Sequence, residues 1–172
     1  MIDKLWFGVD GIVRFGAGQG TSQFLWGLSP MVGYKFTDNF SAGPRISFQN
    51  GITNFGDVGI VGAGDVTLNT IDIGGGLWTR HKILGQYFIH AEVEVLSEEF
   101  ATQDGFGNVS LDASNNIVTE RDSNVRYYLG GGYTSQFSDA FGFTAYVLWD
   151  FSEDFGGGNI PIVTRFGLTY NF

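Results

Sequence analysis

The stretch that decides the fold ends the chain: Arg165-Phe166-Gly167-Leu168-Thr169-Tyr170-Asn171-Phe172. From Phe166 onward every second residue is large and apolar, and the residues between are polar or Gly. Successive side chains of a β-strand point to opposite faces. The alternation therefore predicts a strand with one apolar and one polar face.

The same alternation recurs upstream and predicts eight strands in all. Short connections at 37–39, 81–85 and 138–140 alternate with mostly longer ones at 17–21, 52–66, 99–122 and 153–159. Short turns at one end and long loops at the other are typical of an up-and-down barrel. The predicted strands are 3–16, 22–36, 40–51, 67–80, 86–98, 123–137, 141–152 and 160–172.

Composition favours a membrane-embedded barrel over a soluble domain. The 172 residues suit a single domain, 1–172, yet only 16% are charged, against roughly 25% in an average soluble domain. Aromatic residues also make up 16%, and there is no Cys. No segment approaches the roughly 18 consecutive apolar residues of a membrane helix. A barrel crosses the bilayer without such a run, because its apolar residues alternate with lumen residues.

The two faces of the predicted strands differ in charge. One face is rich in aromatic and aliphatic residues and carries no charge between the strand ends. The other carries Lys35, Arg80 and a predicted lumen charge network. An eight-stranded lumen is too narrow for most of the aromatic set, so we predict an all-β, eight-stranded antiparallel up-and-down transmembrane β-barrel with its charges inside. The network is Asp10, Arg14, Arg45, Asp72, His90, Glu92, Glu94, Arg126, Asp150 and Arg165.

The chain resembles the small eight-stranded outer-membrane β-barrels of the OmpA/OmpX-like group. Arg165, Gly167, Tyr170 and Phe172 match the carboxy-terminal assembly signal of bacterial outer-membrane barrels. The resemblance implies a Gram-negative outer membrane, contact with outer-membrane lipid and lipopolysaccharide, and recognition by the barrel-assembly machinery. It implies no single activity. Because 1–4 is not a secretory signal, we interpret Met1 as a start that replaces a removed signal peptide.

Three functions remain open for the lumen. Buried charges must pair, because an unpaired one costs several kcal/mol. The leading hypothesis is therefore a largely closed, salt-bridged lumen in a barrel with a structural or interaction role. Trp6, Trp78 and Phe88 are predicted to close the lumen near the periplasmic end. The alternative is a narrow channel for small solutes or ions. A smaller alternative is a proton relay through His90.

The long loops are predicted to lie outside the cell and to be acidic. Their acids account for most of the net charge of −9 and argue against nucleic-acid binding, which needs a basic surface. We expect solvated loops, with cation-bridged contact to lipopolysaccharide as the alternative. The span 108–120 is interpreted as a hairpin that binds a protein partner, in a barrel that is a candidate subunit of a larger assembly.

Catalysis has little support in the sequence, and no catalytic residue, metal site or cofactor is predicted. His81 and His90 are the only histidines, and neither has the spacing of a Ser–His–acid site. Pro30 and Pro44 nevertheless interrupt adjacent strands, where each removes a ladder donor. A lipid-modifying enzyme with lateral access near these prolines is therefore the remaining alternative, and a pair of bulges is the plainer explanation.

Overall fold

A computed structural model describes residues 4–18, 21–56, 66–102, 109–112, 116–152 and 161–171. It is a closed barrel in which every strand pairs antiparallel with the next and β8 pairs with β1. The predicted eight-stranded barrel is confirmed. The strands are β1 (Leu5–Gly18), β2 (Thr21–Lys35), β3 (Phe40–Phe55), β4 (Val66–Leu84), β5 (Tyr87–Ala101), β6 (Thr119–Gln136), β7 (Phe141–Asp150) and β8 (Ile162–Asn171).

Two of the three short turns share a sequence pattern, Phe-Thr/Ser-Asp-X-Phe, at 36–40 and 137–141. The amide of Phe40 donates to the hydroxyl of Thr37 at 3.0 Å, and that of Phe141 to the hydroxyl of Ser138 at 2.9 Å. Such side-chain acceptors satisfy backbone donors that the turn would leave unpaired. We call this end of the barrel the short-turn end and the opposite one the loop end.

The predicted turn at 81–85 is wrong in its extent. β4 continues to Leu84 through an irregularity between Lys82 and Leu84, and the turn is formed by Gly85 and Gln86. Gly85 has φ of +64°, a conformation that Gly adopts without the cost other residues pay. Residues 81–84 lie where the strand leaves the apolar region. Their sequence is therefore mixed in polarity and resembles that of a loop.

The predicted loop at 99–122 is partly strand. β5 runs to Ala101 and β6 begins at Thr119, so that Glu99 pairs with Arg121 above the apolar region. These residues are polar on both faces, and the alternation that marks a membrane strand is absent there. Beyond them Leu111 bridges Ile117, in agreement with the predicted hairpin. Its residues 108 and 113–115 lie outside the described part of the chain.

The barrel has its apolar side chains outside and its charges inside. Along β4, outward Leu77 is 62% exposed while inward Trp78 is 1% exposed. The outward face is apolar around the barrel, whereas a soluble barrel buries its apolar face. This arrangement suits a barrel that crosses a bilayer. Exposed outward residues include Phe7, Trp26, Leu28, Ile46, Phe48, Ile73, Leu77, Ile89, Val95, Leu129, Val147 and Phe166.

Aromatic side chains concentrate on the outer face of the short-turn end. Phe36 packs against Tyr34 and Phe40, with ring centroids 5.1 and 5.8 Å apart. Tyr87 and Tyr133 meet edge to face at 5.6 Å. Aromatic rings are favoured at membrane–water interfaces, where one edge is apolar and the other is hydrated, so this belt marks one interface. Separately, among the described residues no helix is long and apolar enough to cross a membrane.

Candidate functional site

The candidate site is the barrel lumen, where strand alternation places all ten residues of the predicted charge network. Arg14 and Arg126 retain side-chain exposures of 13% and 12%, and the other eight are buried. The network divides into a central group and a group nearer the loop end. The eight buried members are Asp10, Arg45, Asp72, His90, Glu92, Glu94, Asp150 and Arg165.

Glu92 is the centre of the inner group. Its carboxylate accepts a hydrogen bond from Arg45 at 2.5 Å and two from Arg165, at 2.7 and 3.2 Å. The Nε2 atom of His90 lies 3.2 Å from the same carboxylate. These groups come from β3, β5 and β8, so the cluster ties together three separate parts of the wall. Charge-assisted bonds of this kind are among the stronger hydrogen bonds in proteins.

Glycines on the inner wall make room for the buried carboxylates. A Cβ atom on Gly167 would lie 1.9 Å from Oδ1 of Asp10, and one on Gly74 would lie 2.6 Å from both Glu94 and Ser47. No real Cβ contact is so short, and only Gly fits without a shift of its neighbours. The glycines of β4 and β8 therefore set where the lumen charges can sit.

Other polar groups of the centre bond one another. Ser47 donates to Glu94, and the hydroxyl of Tyr146 donates to Asp10. A nucleophilic Ser needs an adjacent base, but Ser47 bonds an acid, and the His90 contact is to Glu92. Within the described residues no group of three or more His, Cys, Asp or Glu side chains could hold a metal ion.

A second charged group lies nearer the loop end. Asp150 accepts from Arg14 at 3.0 Å and from Arg126 at 3.3 Å, while Arg126 also contacts both carboxylate oxygens of Glu98 at 2.7 Å. Asp72 stands apart from these pairs and accepts the backbone amide of Glu99 at 2.9 Å. Within the described part of the chain these contacts thus group the charges into separate clusters.

Apolar side chains also line the lumen between the two charged groups, on the side formed by β1, β2 and β6–β8. Along β1, inward Ile12 lies between Asp10 and Arg14, and along β7, Leu148 lies between Tyr146 and Asp150. Ile12 and Leu148 each lie two positions from a predicted lumen charge, so the alternation of strand residues already places them on the inner face. The belt residues are Ile12, Leu25, Tyr128, Leu148 and Val163, all buried in one cluster.

Sequence reasoning also omitted several polar lumen residues, among them Tyr146 and Glu98. Tyr146 precedes the recognised Asp150 by four positions, and Glu98 follows Glu94 by four, so both share the inner face with them. Tyr146 went unrecognised because aromatic residues dominate the outer face. Glu98 is the last residue of the predicted strand 86–98, and the alternation of the strand does not show that it pairs with Arg126.

Aromatic side chains fill the lumen toward the short-turn end. The rings of Trp6 and Trp78 lie 5.0 Å apart, and both are buried with Phe88. The guanidinium carbon of Arg80 lies 4.1 Å from the centroid of Phe88. A cation over an aromatic face is attracted to it, so Arg80 is part of this aromatic group and not of the Glu92 cluster.

The prolines of β2 and β3 lie on the outer face in a stretch of incomplete pairing. Met31 pairs with Arg45, a register that places Pro30 opposite Ile46. Ser29 donates its hydroxyl to the carbonyl of Ile46 at 2.6 Å, opposite the proline that has no N–H to give. A Cβ on Gly43 would lie 1.9 Å from the carbonyl oxygen of Val32, so the two strands remain in close contact.

The described residues of the predicted assembly signal run from the middle of β8, at Arg165, toward its short-turn end. Arg165 and Gly167 face the lumen, whereas Tyr170 faces outward and packs against Phe141 with centroids 5.1 Å apart. Phe172 lies outside the described residues. Arg165 and Gly167 thus also form the lumen wall beside Glu92 and Asp10.

Comparisons with known proteins give similarity of structure alone. No family model matches the sequence, and no curated protein matches it. The β domain of the Bordetella autotransporter BrkA is 12% identical, with 99% of this chain and 100% of that chain covered and a TM-score of 0.49. The outer membrane protein Ail of Yersinia pestis is 12% identical, with 96% and 99% covered and a TM-score of 0.47. The N-terminal β-barrel domain of Pseudomonas aeruginosa OprF is 13% identical, with 97% of each chain covered and a TM-score of 0.46. The fold assignment therefore rests on the strand pairing of this chain.

Proposed function

We propose that this chain is a bacterial outer-membrane barrel with a structural or interaction role, a largely closed lumen and its loop end outside the cell. The observation that carries the proposal is the polarity of the wall, apolar outside and ion-paired inside. Only a surrounding bilayer makes an apolar outer face favourable. In this setting the wall contacts outer-membrane lipid, and the loops contact lipopolysaccharide.

Three successive layers support the closed lumen. The aromatic group around Trp6 and Trp78 fills the short-turn end, the Glu92 cluster fills the centre, and the belt around Leu148 separates that cluster from the charges above. An ion that entered would have to displace paired charges and cross an apolar layer, and both steps are costly. We therefore propose that the protein is not a channel and not an enzyme.

The loop end is the proposed interaction surface. β5 and β6 project beyond the apolar region. Beyond them lies the hairpin, in which Val118 donates to Ser110 at 2.9 Å and Asp112 to Asn116 at 2.8 Å. The amide of Asn116 also donates to the carboxylate of Asp112 at 2.9 Å. A projection with its own hydrogen bonds is preorganised, which lowers the entropy cost of binding a protein partner.

The first experiment tests membrane residence and closure together. We expect the refolded protein to migrate differently on a gel before and after boiling, and to give no steady ion conductance in planar bilayers. Solubility without detergent would contradict the membrane assignment. Conductance steps in the folded protein would instead establish the narrow channel, and turnover of lipopolysaccharide acyl chains would establish the lipid-modifying enzyme near Pro30 and Pro44.

A second experiment tests the assembly signal. Tyr170→Ala removes an outward ring of the signal, whereas Phe143→Ala removes an outward ring of similar exposure on the neighbouring strand outside it. We expect the Tyr170 variant to reach the outer membrane poorly in cells and yet refold normally in detergent. Equal loss of assembly for both variants would show a general demand for outer aromatic residues and would contradict recognition by the barrel-assembly machinery.

A further inference from the structure

We propose that the cavity at the short-turn end of the lumen binds a phosphate group. The cavity has a volume of about 60 Å³ and is bounded by Trp6, Arg80 and the turn at 37–39. That volume holds about four water molecules, which is suitable for one small polyatomic anion. The proposal depends on this cavity alone and not on the role proposed for the loop end.

The charge of the cavity lining is the first argument. Lys35, Arg80 and Lys82 line it together with one acid, Asp38. The described lining therefore carries an excess of two positive charges, which matches a phosphate monoester near neutral pH. At the centre of the lumen, by contrast, the acids Asp10, Glu92 and Glu94 offset the charges of Arg45 and Arg165. The excess at the short-turn end is thus a local feature of this cavity.

Arg80 provides the second argument. It is only 5% exposed, and its guanidinium lies over Phe88, with Tyr146 at 5.1 Å. Its Nε and Nη2 atoms have no hydrogen-bond acceptor among the described residues. Buried donors are nearly always paired, because leaving one unsatisfied costs free energy. An oxyanion held in the cavity that Arg80 lines would supply the missing acceptors.

The neutral lining favours phosphate over a carboxylate. Besides the cations, the cavity has hydroxyl and amide groups on several strands. A phosphate offers three or four oxygens in a tetrahedral arrangement and so satisfies donors from several sides, whereas a carboxylate offers two in one plane. Two sources supply the same chemistry, a free phosphate compound and the headgroup of a phospholipid. The hydroxyl and amide groups of the cavity lining belong to Ser41, Thr134, Gln136, Thr169 and Asn171.

The test is calorimetric titration of inorganic phosphate into the whole chain, refolded in zwitterionic micelles. Lys35→Ala and Lys82→Ala each remove a partly exposed cation of the lining, and Lys4→Ala removes an exposed cation near the same end that does not line the cavity. We expect saturable binding that weakens about tenfold or more in each cavity variant, as a lost charge-assisted hydrogen bond predicts. Lys4→Ala should bind as the unmodified chain does.

The gel shift on boiling verifies that each variant is folded before it is titrated. Titration in nanodiscs with and without phosphatidylglycerol then separates the two sources: competition by the lipid identifies a headgroup, and unchanged phosphate binding identifies a free compound. The proposal is overturned by an absence of saturable binding. It is equally overturned if Lys4→Ala weakens binding as much as the cavity variants do, because the attraction would then be diffuse.

Discussion

Glu92→Gln tests whether the central cluster holds the barrel together. The substitution preserves the size and shape of the side chain and removes one negative charge. Arg45 and Arg165 would then remain in the lumen without the carboxylate that both now contact, at 2.5 and 2.7 Å. The expected result is a large loss of stability, because a buried cation left without its partner is costly.

The magnitude follows from burial. The side chains of Glu92 and Arg45 are fully inaccessible, and that of Arg165 is 1% exposed, so water cannot replace the lost partner. Removal of one member of a buried pair typically costs about 3–5 kcal/mol. The matched control is Glu98→Gln, whose side chain is 19% exposed and whose partner Arg126 keeps Asp150 at 3.3 Å. A pair with this solvent access contributes about 0–1 kcal/mol.

Urea unfolding in micelles gives the free energy of unfolding for each variant. The reasoning predicts that Glu92→Gln lowers it by about 3 kcal/mol more than Glu98→Gln does. In addition, Arg45→Gln combined with Glu92→Gln should cost less than the sum of the two single changes, because they share one interaction. Equal losses for the Glu92 and Glu98 variants, or strict additivity, would refute the structural role of the cluster.

Two further substitutions test the inner wall and the proline region. Gly167→Ala would place Cβ 1.9 Å from Asp10, so we expect the free energy of unfolding to fall by about 1–3 kcal/mol in the same assay. Gly11→Ala is the control, because its nearest contact would be 3.6 Å, and it should leave the free energy of unfolding almost unchanged. Similar losses for the two variants would contradict the steric argument. Ser29→Ala removes the donor to the carbonyl of Ile46 and should cost about 1–3 kcal/mol while accelerating amide exchange in the middle of β2 and β3. Unchanged exchange there would show that this hydroxyl does not compensate for the prolines.

The layered lumen changes how the charge pattern is interpreted. On one strand Asp10 and Arg14 resemble a single polar stripe, but Ile12 stands between them and separates two ion-pair groups. The Nε2 atom of His90 contacts Glu92, and its Nδ1 atom has no hydrogen-bond partner among the described residues, so a proton relay through His90 has only a short local path there. The arrangement supports the proposed closed lumen over the alternative of a channel along the axis.

Much of the architecture followed from local chemistry. The period of two in apolar residues fixes which face meets lipid, and this physical rule applies to every strand separately, so the eight strands and their outward faces could be predicted. The amino-acid composition is less informative about where each strand ends. At 81–84 and 119–122 the strands leave the apolar region, and the mixed sequence of the first stretch and the polar sequence of the second resemble loops although strand pairing continues.

The sequence by itself determined the strand number, the inside-out polarity and which charges enter the lumen, because each depends on neighbours two residues apart. Only the tertiary structure decided which charges meet. Arg45 and Arg165 are far apart in the chain, yet closure of the barrel brings both to Glu92, and it brings Tyr146 to Asp10 across the lumen. Such contacts depend on how the closed sheet staggers its strands, which is set by the whole barrel at once and not by any one segment.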